Sequence, residues 1–179
     1  TLTTLVAQLL ERIDKVFLGV QTSAGDLGRY STAQSLIAVS RFLPDALSKL
    51  SLARDKNYLE TRFTLGKYIA FAIATIFLLG EFAIYFTRLV LGDEWILPLL
   101  TLFGIASVEL LRGFHALVTV NAIRAFAYTR LKKVSVIQIT VGVLIQPLSI
   151  HFFGIVGSIV ISALIFIFGI IYLRDFINA

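Results

Sequence analysis

Long apolar runs constrain this chain more than any other feature of its sequence. Four of them, residues 68–91, 96–120, 134–150 and 155–173, contain at most isolated charges. A helix rises about 1.5 Å per residue, so about 20 residues cross the roughly 30 Å hydrocarbon core of a bilayer. Each run is therefore predicted to be a membrane-spanning helix.

Two further segments, 2–20 and 30–50, carry more charge but keep helical periodicity. We interpret them as spans that face the interior of a bundle. The whole chain of 179 residues is 58% hydrophobic and only 15% charged, whereas soluble domains have about 45–50% apolar and about 25% charged residues. The prediction is an all-α integral membrane protein with about six transmembrane helices in a single bundle over 1–179.

The loops predict the orientation. With six spans, ten basic residues fall on one side of the membrane and only one or two on the other. The ten are Lys49, Arg54, Lys56, Arg62, Lys67, Arg124, Arg130, Lys132, Lys133 and Arg174. Because cytoplasmic loops are enriched in Lys and Arg, the C-terminus is predicted to lie in the cytoplasm of a cell membrane protein. Trp95 and Tyr30 are then predicted to lie in the outer aromatic belt. The segment 54–67 is predicted to be either an interfacial helix or a solvated connector.

Charged residues at membrane depth are costly, so they are candidates for function. We predict a hydrated substrate cavity, with structural ion pairs such as Glu109–Arg112 as the alternative. Arginine suits bidentate contacts with phosphate, and the acids can pair with cations or take up a coupling proton or Na⁺. The predicted cavity residues are Arg12, Asp14, Lys15, Arg41, Asp45 and Arg112, and the candidates for a coupling-ion site or an ion pair are Glu11, Glu81 and Glu109.

Nothing in the sequence indicates an enzyme. The sequence lacks Cys, has two His without metal-ligand spacing, and contains neither HExxH nor GxSxG. No metal or cofactor is predicted, and His115 and His151 are interpreted as helix-contact or interfacial residues. Gly154, Ser158 and Ser162 recur every four residues, which favours close helix packing.

Several short motifs resemble the second half of Wzx-type polysaccharide flippases, of the multidrug/oligosaccharidyl-lipid/polysaccharide exporter superfamily. They are Ile13-Asp14, Gly19, Gly28-Arg29-Tyr30-Ser31, Pro44, the turn Leu91-Gly92-Asp93-Glu94-Trp95, and the Gly-rich entry Gly154-Ile155-Val156-Gly157-Ser158. The resemblance implies the C-terminal half of a pseudo-symmetric transporter, and the chain, which has no Met, is expected to be a fragment. Asp14, Arg41 and Asp45 are the cavity residues that it implies.

The function that the resemblance implies is movement of a lipid-linked oligosaccharide across the cytoplasmic membrane by alternating access. The implied partners are that substrate, membrane lipids and the N-terminal half of the same transporter, but no nucleic acid. Two alternatives remain open. One is an H⁺- or Na⁺-coupled exporter of small amphiphilic or cationic compounds, and the other is a non-transporting membrane scaffold.

Overall fold

The structure is a computed structural model that describes residues 2–41 and 65–176, with the side chains of 12–40 and 74–175. All regular structure within these ranges is helical, and they contain no strand. The predicted all-α class is therefore confirmed. Asp45 and the segment 54–64 lie outside the described residues.

Five α-helices follow one another along the chain. They are α1 (Leu2–Gln21), α2 (Ala24–Ile37), α3 (Leu65–Leu91), α4 (Leu99–Arg124) and α5 (Tyr128–Tyr172). Short 3-10 turns follow α2, α3 and α5 at Ala38–Arg41, Asp93–Trp95 and Arg174–Phe176. Helix α2 begins six residues before the predicted span 30–50, because Ser23 caps its first turn by accepting a hydrogen bond from the backbone N–H of Asp26.

Helix α5 folds back on itself at Gly154. This residue has φ 56° and ψ −135°, a conformation that essentially only glycine adopts without strain. The side-chain amide of Gln138 donates to the backbone carbonyl of Ile165 at 3.1 Å, although 27 residues of straight helix would separate the two by about 40 Å. Residues 128–153 and 155–172 are therefore two antiparallel legs.

Three described helices are long and apolar enough to cross a membrane: Ala74–Leu91 within α3, Leu99–Arg124 and Tyr128–Tyr172. Their outward surfaces expose large apolar side chains that a soluble domain would bury. Leu78, Leu89, Leu100, Leu148 and Phe152 are among those more than half exposed. This pattern is that of a membrane protein, whereas the count of six spans and the direction of the C-terminus stay predictions.

The main core joins all five helices. Leu18 of α1, Ile37 of α2, Ala83 of α3, Ile105 of α4 and Ile150 of α5 are buried together in it. A second cluster closes the opposite end of α4 against the start of the first leg and the end of the second, and consists of Val118, Ala122, Leu131, Val134 and Leu173. The polar groups described below are held between α1, α2, α4 and α5.

The close approach of the two α5 legs depends on Gly157, and this gives a first prediction. A Cβ added there would collide with the backbone carbonyl of Ser149, which can move only if the legs separate. Gly157→Ala should therefore lower the free energy of unfolding by about 1–3 kcal/mol. Unfolding in mixed dodecylmaltoside–SDS micelles, followed by circular dichroism, measures this change.

Gly25→Ala is the matched control for Gly157→Ala. Gly25 also lies in a helix, but its added Cβ would meet only the Ser23 hydroxyl, at 3.7 Å. Alanine there should be neutral or slightly stabilising because it is the better helix former. Equal stability of the two variants would contradict the packing of the hairpin described here.

Candidate functional site

Glu109 and Arg112 form a buried ion pair on α4. Positions i and i+3 lie on the same face of a helix, and the Arg112 Nη1 atom is 3.2 Å from the Glu109 Oε1 atom. The Glu109 side chain is fully buried and that of Arg112 is 11% exposed. The amide Nε2 of Gln34 also donates to Glu109 Oε1, at 3.2 Å, so this carboxylate connects α4 to α2.

Asp14 and Tyr30 form a second buried centre, between α1 and α2. The Tyr30 hydroxyl donates to Asp14 Oδ2 at 2.8 Å, and the backbone N–H of Lys15 donates to Oδ1 at 2.7 Å. Asp14 is 1% and Tyr30 3% exposed. Tyr30 and Gln34 are spaced i,i+4 on one face of α2. The two centres are therefore neighbours along α2.

The second leg of α5 completes the surroundings of Arg112. Its guanidinium lies over the ring of Phe166, 5.3 Å from the ring centroid, in the range of a cation–π interaction. The ring of His115 lies 5.7 Å from the same phenylalanine ring. His115 Nε2 is 3.2 Å from the amide nitrogen of Gln138, on the first leg. We name the set Asp14, Tyr30, Gln34, Glu109, Arg112, Phe166, His115 and Gln138 the polar track.

A separate polar contact holds the two legs of α5 together. The Gln146 amide lies 3.3 Å from the Ser158 hydroxyl and 3.4 Å from that of Ser162, and all three side chains are buried. Gly157 lies beside them and permits the close approach. Ser158 and Ser162 therefore take part in helix packing, as their spacing predicts. Phe166, one turn beyond Ser162, belongs to the polar track, which the small-residue pattern does not indicate.

Of the predicted site residues, Asp14, Glu109 and Arg112 come together in the polar track. Lys15 is half-buried beside Asp14. Arg12 and Glu81 are exposed, so they do not line an interior of this chain. The reason is helical phase, because Arg12 and Glu81 lie about 200° around their helices from the buried residues Asp14 and Ala83. Asp45 and the side chains of Glu11 and Arg41 lie outside the described residues.

Tyr30 corrects one interpretation of the sequence. Its place near a predicted membrane boundary suggested an aromatic belt, but the structure buries it against Asp14. The signal that could have indicated this position is the i,i+4 pair Tyr30–Gln34. It puts a hydroxyl and an amide on one face of a short helix, which faces two helices that carry acids.

Within the described residues, no group of three His, Cys, Asp or Glu side chains could hold a metal ion.

The chain matches no family model, no curated protein and no solved structure. What this site does must therefore be argued from its own groups. Those groups are two buried carboxylates, one arginine held between an acid and an aromatic ring, and amide and hydroxyl donors from α2 and α5.

The hydrogen bond between Tyr30 and Asp14 generates a second prediction. Tyr30→Phe removes only the donor hydroxyl and leaves a buried carboxylate oxygen with one hydrogen bond fewer. Inside membrane proteins such bonds contribute about 0.6 kcal/mol on average and about 1.7 at most. Because the acceptor is a buried carboxylate, we expect a loss near the upper value, measured by unfolding in mixed micelles.

Tyr85→Phe is the matched control, since Tyr85 is 68% exposed. Its loss of a hydroxyl should leave the unfolding free energy unchanged to within about 0.5 kcal/mol. If Tyr30→Phe were as stable as Tyr85→Phe, the Asp14–Tyr30 contact would not contribute to the fold.

Proposed function

We propose that this chain is part of a flippase that moves a lipid-linked oligosaccharide, a precursor of polysaccharide biosynthesis, from the inner to the outer leaflet of the cell membrane. The observation that supports this most is the burial of an arginine within a mixed-charge track, between helices with apolar outer surfaces. A bundle stabilised only by apolar packing would not require two acids and an arginine at its centre, where charges are costly.

Arg112 is the group that recognises the substrate in this proposal. A lipid-linked oligosaccharide carries a pyrophosphate, and the planar guanidinium can bind two of its oxygens at once. At rest the charge of Arg112 is balanced by Glu109 at 3.2 Å. The pyrophosphate competes with Glu109 for the guanidinium. Substrate binding therefore alters the surroundings of a carboxylate that also accepts a hydrogen bond from Gln34 of α2.

Exchange of these partners gives a route to alternating access. When Arg112 turns from Glu109 to the substrate, the link between α4 and α2 is free to rearrange, and rocking of two transporter halves changes the open side. This chain supplies one half and an N-terminal half supplies the other wall of the pathway. Phe166 packs against the guanidinium through a cation–π contact.

A second candidate function is an H⁺- or Na⁺-coupled exporter of amphiphilic or cationic compounds. The observation that favours it is that both buried carboxylates, Asp14 and Glu109, receive donors from α2, namely Tyr30 and Gln34. Uptake of a proton or cation at either acid would change how α2 packs. In this case the acids, and not Arg112, control transport.

Arg112→Gln tests the flippase proposal and is the third prediction. The full-length transporter is placed in proteoliposomes with a fluorescent prenyl-pyrophosphate oligosaccharide, and a membrane-impermeant reductant reports lipid that reaches the outer leaflet. Loss of a charged contact of about 1.5–3 kcal/mol should slow flipping by roughly tenfold or more. A folded Arg112→Gln protein that flips at the wild-type rate would refute the proposal.

Arg88→Gln is the matched control. Arg88 forms an ion pair with Asp93 at 2.7 Å, but both side chains are mostly exposed at the end of α3. Its loss should leave the rate within about twofold of wild type, since exposed pairs contribute little.

Transport in the same liposomes and function in cells together distinguish the other two functions. A coupled exporter should lose transport of a fluorescent organic cation in Asp14→Asn and Glu109→Gln but keep it in Arg112→Gln. A scaffold should recover its full cellular function when Glu109→Arg and Arg112→Glu are combined, because only the pair would matter. A flippase should stay inactive after that exchange.

A further inference from the structure

Helix α3 carries a carboxylate on a face that no described part of the chain covers. Phe77, Leu78, Glu81 and Tyr85 are exposed and fall within one arc of the helix. The opposite side, at Gly80, Ala83 and Thr87, is buried against the bundle. Glu81 thus stands within an apolar surface, ten residues before the end of α3 at Leu91, which is about 15 Å along the helix axis.

An ionisable group at this depth is costly unless a partner or water meets it. Glu81 has no hydrogen bond or ion pair to any residue within the described ranges. Arg88 lies on the same side of α3 but about 10 Å further along the axis, and it is already bound to Asp93 at 2.7 Å. The described residues therefore leave a negative charge on the surface of a spanning helix without balancing it.

Charge disfavours symmetric pairing of this face with the same face of a second copy of the chain. Consider two copies whose α3 helices are parallel and related by a twofold axis along the membrane normal. The two Glu81 side chains would then lie at the same depth, and so would the two Arg88 side chains. Like charges at one level repel each other. The shape also argues against close symmetric packing, since this face displays bulky Phe77, Leu78 and Tyr85 where self-associating helices usually place small residues.

From this geometry we infer that the face of α3 around Glu81 is a docking surface for a membrane-spanning helix from outside this chain that carries a Lys or Arg at the depth of Glu81. The cation neutralises the carboxylate, and the aromatic side chains pack against the apolar body of the partner helix. Phe77 is already fixed by its edge contact with Phe103 of α4, with ring centroids 5.3 Å apart. The inference does not depend on the transport proposal.

Binding of model helices tests this inference and is the fourth prediction. The chain has no Cys, so Glu94→Cys places a single fluorophore at the exposed turn after α3. The 179-residue chain is reconstituted in phosphatidylcholine vesicles with a labelled Leu/Ala spanning peptide that has one Lys at its midpoint. Energy transfer should show roughly tenfold tighter association than for the same peptide with Leu at that position.

Glu81→Gln keeps the shape of the side chain and should abolish the preference for the Lys peptide. Asp175→Asn is the matched control, since it removes an exposed acid that does not lie on α3 and should leave the preference intact. Glu81→Lys should reverse it, so that a peptide with a midpoint Glu binds better than the Lys peptide.

Three results would overturn the inference. Equal binding of the Lys and Leu peptides would mean that Glu81 faces lipid without a cationic partner. An unchanged preference in Glu81→Gln would place the binding elsewhere. Association of the chain with itself that disappears in Glu81→Gln, with no preference for the Lys peptide, would show that the occupant is a second copy.

Discussion

The side chain of Glu109 is fully buried in the bundle, and a carboxylate there is tolerated only with charge-balancing and hydrogen-bonding partners. Three helical segments form the Glu109–Arg112 ion pair and its surroundings. Arg112 comes from the same helix, Gln34 from α2, and Phe166 from the second leg of α5 supports the arginine. Displacing any of these segments would leave a buried charge incompletely compensated, so the ion pair restricts how α2, α4 and α5 can pack.

The packing of the rest of the bundle is typical of a protein surrounded by lipid. Its outer surface exposes many large apolar side chains, so burial of apolar area cannot by itself hold the helices together. Close contacts and internal polar contacts take that role, at Gly157 against the Ser149 backbone and at Gln146 beside Ser158. The fold therefore depends on specific contacts, and within the described residues the polar track joins α1 to α2 and α2 to α4.

Part of this arrangement could be predicted from the sequence. Long apolar runs predict helices, and the i,i+3 spacing of Glu109 and Arg112 predicts an ion pair, because both depend only on local geometry. Gly154 and the small residues after it correctly indicate a tightly packed segment. The sequence could also indicate Asp14 as interior, since a charge within a predicted spanning helix is costly on the lipid face.

Other parts depend on how each helix is rotated against its neighbours, which no local pattern determines. Arg12 and Asp14 are two residues apart, yet one is exposed and the other buried. Glu81 was expected at an ion-pair or coupling site, but the packing of Ala83 against the core turns it outward. The choice of Tyr30 and Phe166 as neighbours of Asp14 and Arg112 follows from tertiary contacts between segments far apart in the chain.

A double-mutant cycle on Glu109→Leu and Arg112→Leu, measured by unfolding in mixed micelles, tests most directly whether this ion pair organises the interior. Each single change leaves one buried charge alone and should cost about 3–5 kcal/mol, whereas the double change replaces both charges by apolar groups and should cost far less than the sum. A double variant whose loss equals the sum of the two single losses, to within about 0.5 kcal/mol, would show that Glu109 and Arg112 act independently and would contradict this account.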